Sequence, residues 1–77
     1  MATVYNRECL INETITDTDD PSLTMEFTKG QIYKATENIK GKCRIFSSYW
    51  VWMEAEKFGP PICWVGTNPK NGIQQCR

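Results

Sequence analysis

Residues 23–34, Leu-Thr-Met-Glu-Phe-Thr-Lys-Gly-Gln-Ile-Tyr-Lys, constrain the fold more than any other part of this chain. Leu23, Met25 and Phe27 alternate with Thr24, Glu26 and Thr28, so successive side chains fall on opposite faces and only one face is apolar. That is the pattern of a half-buried strand. Lys29-Gly30 then breaks the alternation, and Gly30 supplies the left-handed turn residue from which the chain enters a second strand at Gln31. No stretch of the sequence carries a convincing amphipathic helical period, so the expected class is all-β.

Seventy-seven residues make one domain. A chain of about this length buries only about 60% of its unfolded surface, so the core has to be compact and rich in large side chains. Three Trp, three Tyr and three Phe meet that need. The same shortness argues against an enzyme, because a deep, water-excluding pocket is hard to build at this size. No apolar run is long enough to span a bilayer, and residues 1–7 lack the basic start and hydrophobic stretch of a secretory signal, so the expectation is a cytoplasmic protein.

Five short strands are expected. The first runs from Thr3 to Ile11 and is followed by a long polar loop, Asn12 to Ser22. Gln31–Thr36 and Lys42–Phe46 form a hairpin around Glu37-Asn38-Ile39-Lys40-Gly41. A Ser47-Ser48 turn leads into the fourth strand, Tyr49–Met53, with Trp50 and Trp52 on one face and Tyr49, Val51 and Met53 on the other. Both of its faces are apolar, so one is core and the other a candidate contact surface. Glu54–Phe58 reads as one helical turn, stopped by Gly59-Pro60-Pro61, and Ile62–Val65 as the last strand. Phe27, Ile32, Ile45, Val51 and Val65 are the expected core. The domain spans residues 1–66, and residues 67–77 form a loosely held tail.

Cys9, Cys43, Cys63 and Cys76 lack the close pairing of zinc ligands, and the chain has no His. Neither metal nor any other cofactor is expected. Cys9, Cys43 and Cys63 sit in apolar strand contexts, where a reduced thiol packs as a small hydrophobe, and Cys76 is expected at the surface. Without His there is no ordinary Ser-His or Cys-His nucleophile pair, and no phosphate-binding glycine loop is present, so no catalytic residues are proposed. Asp17-Thr18-Asp19-Asp20 lacks the glycine and distal glutamate of a calcium loop and reads as a solvated acidic loop.

The formal net charge is zero, but the two halves differ in sign. Up to Asn38 there are seven acidic residues against three basic ones, and from Ile39 onward six basic against two acidic. Overall neutrality argues against a dedicated nucleic-acid binder. Lys40, Lys42 and Arg44, with Lys57 nearby in sequence, still offer a local basic face, although a charged strand protected from aggregation is the favoured account of them.

The Met25–Tyr33 segment resembles the diverging turn of SH3-like barrels, and the likeness extends over Val4–Val65. It implies a small five-stranded antiparallel barrel with one short helical turn. By the same resemblance Tyr5 corresponds to the groove tyrosine, and Glu13, Asp17, Asp19 and Asp20 to the acidic loop. Trp50 corresponds to the groove tryptophan and Pro61 to the proline before the last strand. The chain departs from that family in lacking its Ala-Leu-Tyr-Asp-Tyr opening and any tyrosine after Pro61, which speaks against stacking on proline-rich peptides. The pattern is also similar to that of small bacteriophage-encoded accessory proteins, through Phe27, Gly30, Tyr33 and Glu56-Lys57-Phe58; this implies a protein that binds and inhibits a host protein, in the host cytoplasm.

The expected function is therefore protein binding, with Tyr5, Glu13, Asp17, Asp19, Asp20, Tyr49, Trp50, Trp52 and Pro61 as partner-binding residues. One alternative is nucleic-acid binding through Lys40, Lys42 and Arg44 with aromatic stacking. Another is self-association through an exposed strand edge as a structural or assembly protein.

Overall fold

The computed structural model describes residues 2–17 and 19–77. Among these, seven strands form: β1 (Thr3–Glu8), β2 (Glu13–Thr16), β3 (Thr24–Phe27), β4 (Ile32–Thr36), β5 (Lys42–Phe46), β6 (Trp50–Glu54) and β7 (Cys63–Gly66). One 3-10 turn, Ala55–Lys57, separates β6 from β7. The strands pair antiparallel in a five-stranded sheet of order β6-β5-β4-β1-β7 and a two-stranded sheet of β2 and β3.

Alternation in β3 determines how the two sheets meet. Met25 and Phe27 are buried while Thr24 and Glu26 face water, so the β2–β3 hairpin lays one apolar face onto the five-stranded sheet. There it meets Ala35, Cys43, Ile45 and Met53, closed at one end by Ala55 and Phe58. Phe27, Tyr33 and Phe58 pack as a ring cluster with centroids 5.0 to 6.4 Å apart. Burial of Phe27 and of Phe58 contributes roughly 1.5–3 kcal/mol each relative to exposure, and Tyr33 is partly buried against them. Gly30, at φ 91°, makes the turn between the sheets, and its N–H donates to the Cys9 carbonyl at 2.9 Å.

Arg7, on β1, ties the core to the 3-10 turn. Its guanidinium donates to the carbonyls of Gly59 (2.6 Å), Ala55 (2.9 Å) and Phe58 (3.1 Å), the Ala55 carbonyl also accepting the Phe58 N–H at 3.1 Å. It also lies 3.7 Å from the Cys43 sulfur, where burial pushes the thiol pKa up and the Arg7 charge pulls it down by less.

Several sequence expectations are corrected. The five-stranded barrel becomes seven strands in two sheets, with no closed barrel among the described residues. Residues 12–22 are not all loop: Glu13–Thr16 pairs with β3, and its one apolar residue, Ile15, was too weak a periodic signal to separate it from polar surroundings. Phe27 and Ile45 are buried as expected, but Ile32 is 49% exposed because Tyr33 and Ala35 take the inward positions of β4. Val51 and Val65 are only half-buried.

The tail is held as well. Cys63 and Cys76 form a disulfide, so only Cys9 and Cys43 are free, buried thiols. Trp64 N–H donates to the Gln74 carbonyl at 3.1 Å, Cys76 N–H to the Trp64 carbonyl at 2.8 Å, and the Trp64 indole N–H to the Ile73 carbonyl at 2.8 Å. Each of these bonds joins residues distant in sequence, which is why turn composition suggested a loose end.

Candidate aromatic face of the β5–β6 hairpin

Lys42, Arg44 and Phe46 alternate along β5 with the buried Cys43 and Ile45, and Trp50 and Trp52 flank the half-buried Val51 on β6. The register sets Phe46 opposite Trp50, Arg44 opposite Trp52 and Lys42 opposite Glu54. All six side chains therefore occupy the outer face of one hairpin. Phe46, Trp50 and Trp52 are 39%, 42% and 52% exposed, which makes this a joined aromatic surface rather than scattered apolar residues.

The side chains order one another. The rings of Phe46 and Trp50 lie 5.2 Å apart at 57°, and the Arg44 guanidinium stands 4.8 Å from the Trp52 ring centroid. Cross-strand aromatic and cation–π contacts of this kind contribute about 0.5–1.5 kcal/mol each and restrict rotamers that would otherwise be lost on binding. Lys34 of β4 is opposite Phe46 and adds a further cation to the rim. Lys42 and Glu54 approach to 3.8 Å, an exposed pair of little energetic weight.

The structure separates the residues proposed from sequence into different environments. Trp50 and Trp52 are together and exposed. Tyr49 points the other way: it packs against the core, and its hydroxyl donates to the Leu23 carbonyl at 3.3 Å. Tyr5 is buried, with its hydroxyl accepting from the Asn71 side-chain amide at 3.1 Å, so it does not open a groove. Pro61 is half-buried beside β7. Lys40 lies in the turn before β5 with φ 54°, outside the alternation that Lys42 and Arg44 share.

The acidic residues divide similarly. Glu13 is paired with Lys57 at 2.7 Å, both half-buried. The Asp17 carboxylate accepts from the backbone N–H groups of Asp19 (2.7 Å) and Asp20 (3.2 Å), shaping the turn. Asp20 accepts from the Ser22 hydroxyl at 2.6 Å and the Ser22 N–H at 3.1 Å, and these bonds, the hydroxyl first, lower its pKa. Thr18 lies outside the described residues. Because Leu23 accepts both Asp17 N–H and the Tyr49 hydroxyl, the acidic turn sits against the tip of the aromatic hairpin.

Phe46, Lys34 and Glu54 belong to the face and were not singled out from sequence. For Phe46 the signal was available, since it continues the period of two through Lys42 and Arg44. A cleft of about 460 Å³ lies elsewhere, among Ala2, Thr3, Thr36, Glu37, Ile39 and Pro69. Comparison with protein-family models, curated proteins and solved structures finds no match.

Proposed function

We propose that this chain is a non-enzymatic protein-binding module, a phage-encoded accessory protein that binds and inhibits a host protein through the outer face of the β5–β6 hairpin. The observation that carries this reading is the joined, exposed surface of Phe46, Trp50 and Trp52 on a paired hairpin whose opposite side is anchored in the core. Aromatic side chains with few rotatable bonds are the usual anchors of protein interfaces. Trp50 is the central anchor, Trp52 and Phe46 extend it, and Asp19 and Asp20 at the adjacent turn steer a basic partner surface during encounter.

The finer fold assignment belongs to the same proposal. A first strand, an acidic hairpin, a turn at Gly30, a three-strand meander, a 3-10 turn and a last strand beside the first follow one another in the order expected of an SH3-like barrel. Recognition of proline-rich peptides is not part of it, since Tyr5 is buried and the Tyr49 hydroxyl is engaged. We place the chain in the host cytoplasm. The Cys63–Cys76 bond belongs more naturally to an oxidising compartment, and thiol trapping in intact cells decides between the two.

The test compares wild-type protein with Trp50→Ala as bait against host proteins, with circular dichroism as a check on folding. A host protein bound by the wild type should be lost from the folded variant. Nucleic-acid binding is the second reading, favoured by Lys34, Lys42 and Arg44 sharing the face with the aromatics. It requires single-stranded DNA binding that weakens steeply with salt.

A further inference from the structure

Among the described residues the β6 strand lies at the border of the sheet and pairs only with β5. Its hydrogen-bonding parity follows from two flanking bonds, Ala55 N–H to the Gly41 carbonyl (2.9 Å) and Ser47 N–H to the Tyr49 carbonyl (3.4 Å). In an antiparallel ladder every second residue bonds to the neighbour, so Val51 and Met53 face β5, and the N–H and C=O groups of Trp50 and Trp52, with the N–H of Glu54, point to the open side. Among the described residues the sheet gives these groups no partner strand, while the Glu54 carbonyl, at the N-cap of the 3-10 turn, takes that turn's first bond. The usual protections of such an edge, a lysine, a proline or a bulge, are absent from Trp-Val-Trp-Met-Glu.

Arg44 adds a chemical preference. Stacking on Trp52 carries its guanidinium from β5 to a position above the edge strand, and no carboxylate lies within ion-pair distance of it among the described residues. A further strand would run about 4.8 Å beyond β6. Its side chain opposite Trp52 would come within reach of those oriented donors.

We propose that the β6 edge accepts an extended segment of the partner protein as an added antiparallel strand, with a carboxylate residue opposite Trp52 and an apolar residue opposite Trp50. The proposal rests on the reading of this hairpin as the partner-binding surface. A second copy of the chain fits less well: the symmetric register centred on the middle of the edge sets Trp52 against Trp52 and brings two Arg44 side chains together, like charges without a counter-ion.

The probe is the peptide acetyl-Thr-Lys-Thr-Glu-Thr-Ile-Thr-amide, whose Lys, Glu and Ile face Glu54, Trp52 and Trp50 when it pairs antiparallel. Its control, acetyl-Thr-Glu-Thr-Lys-Thr-Ile-Thr-amide, has the same composition with the charges exchanged. In titrations of isotope-labelled protein, the first peptide should shift the amides of Trp50, Trp52 and Glu54 and bind roughly ten-fold tighter than the control. Arg44→Gln should remove that preference, and N-methylation of the peptide's Glu should abolish binding. Equal affinity for the two peptides, shifts away from β6, indifference to N-methylation, or a concentration-dependent dimer sealing the edge would each overturn the proposal. The two readings fail separately. A host partner that is lost with Trp50→Ala while the peptide does not bind removes the edge and keeps the face; peptide pairing along β6 with partner affinity unchanged in Trp50→Ala does the reverse.

Discussion

The two borders of the five-stranded sheet receive opposite treatment. At β7 the C-terminal segment returns alongside the strand, takes up its backbone groups through Gln74 and Cys76, and covers Trp64 until 8% of it remains exposed. Gly66, at φ 88°, lets the chain reverse there close to the Ala2 carbonyl, and the Cys63–Cys76 bond holds the return in place. At β6 nothing comparable exists among the described residues, and Trp50 and Trp52 stand in water. Indoles in similar strand sequences, Trp-Val-Trp and Cys-Trp-Val, thus serve opposite ends. A covered edge gives stability, whereas an open edge beside an aromatic surface is what a binding module would present.

The largest expected effect tests the covered edge. Trp64→Ala removes a buried indole and the bond to Ile73, and should destabilise the fold by about 3–5 kcal/mol in urea denaturation. Trp52→Ala, at the open edge, should change stability by no more than about 1 kcal/mol. Similar losses at both sites would erase the contrast. Next in size is Cys76→Ser, which releases a link spanning 13 residues and should cost about 2–3 kcal/mol. A thiol assay on the denatured, unreduced wild type should find two reactive groups, where reading the cysteines as all reduced predicts four.

At the open edge the effect should appear in binding. Trp50→Ala should weaken the partner complex by about 2 kcal/mol while the free energy of unfolding stays within about 1 kcal/mol of wild type; calorimetry and denaturation measured together check both halves. Unfolding by this variant would reassign Trp50 to the core. Gly30→Val probes the turn that joins the two sheets. No atom crowds an added Cβ there, so its penalty, about 1–2 kcal/mol, is backbone strain alone at φ 91°.

The smallest effect concerns the acidic turn. Asp20 has its pKa lowered below 3.8 by Ser22, so its contribution is present above 3.8 and is lost as the pH falls through the lower, folded-state value. Ser22→Ala should return the Asp20 titration, followed by NMR, toward 3.8, with a loss of stability too small to move the melting temperature measurably at neutral pH. A clear shift in melting would mean that this exposed turn supports the fold more than its hydrogen bonds suggest.

Much of the fold could be read from local pattern. The β3 strand, the Gly30 turn, β5 at Lys42–Phe46, the short turn after β6 and the all-β class all follow from alternation of apolar residues and from glycine and proline placement, which act over a few residues. The joint placement of Trp50 and Trp52 on one face followed from the same period of two. Pattern alone left undecided which face of β6 is core, because both are apolar.

That choice was made by contacts between distant segments. Tyr49 turned inward because its ring meets the core and its hydroxyl finds Leu23, 26 residues earlier, which left the tryptophans outside. Tyr5, expected at a surface groove, was covered by a segment that supplies Asn71 from the far end of the chain. Ile32 was displaced to the surface by the pairing of β4 with β1, which sends Tyr33 and Ala35 inward. A one-residue change of register exchanges the two faces of a strand without altering its composition. The sequence therefore determined where strands and turns occur, while the tertiary structure decided which edge is closed and which aromatic residues remain exposed, since register and edge pairing depend on partners far away along the chain.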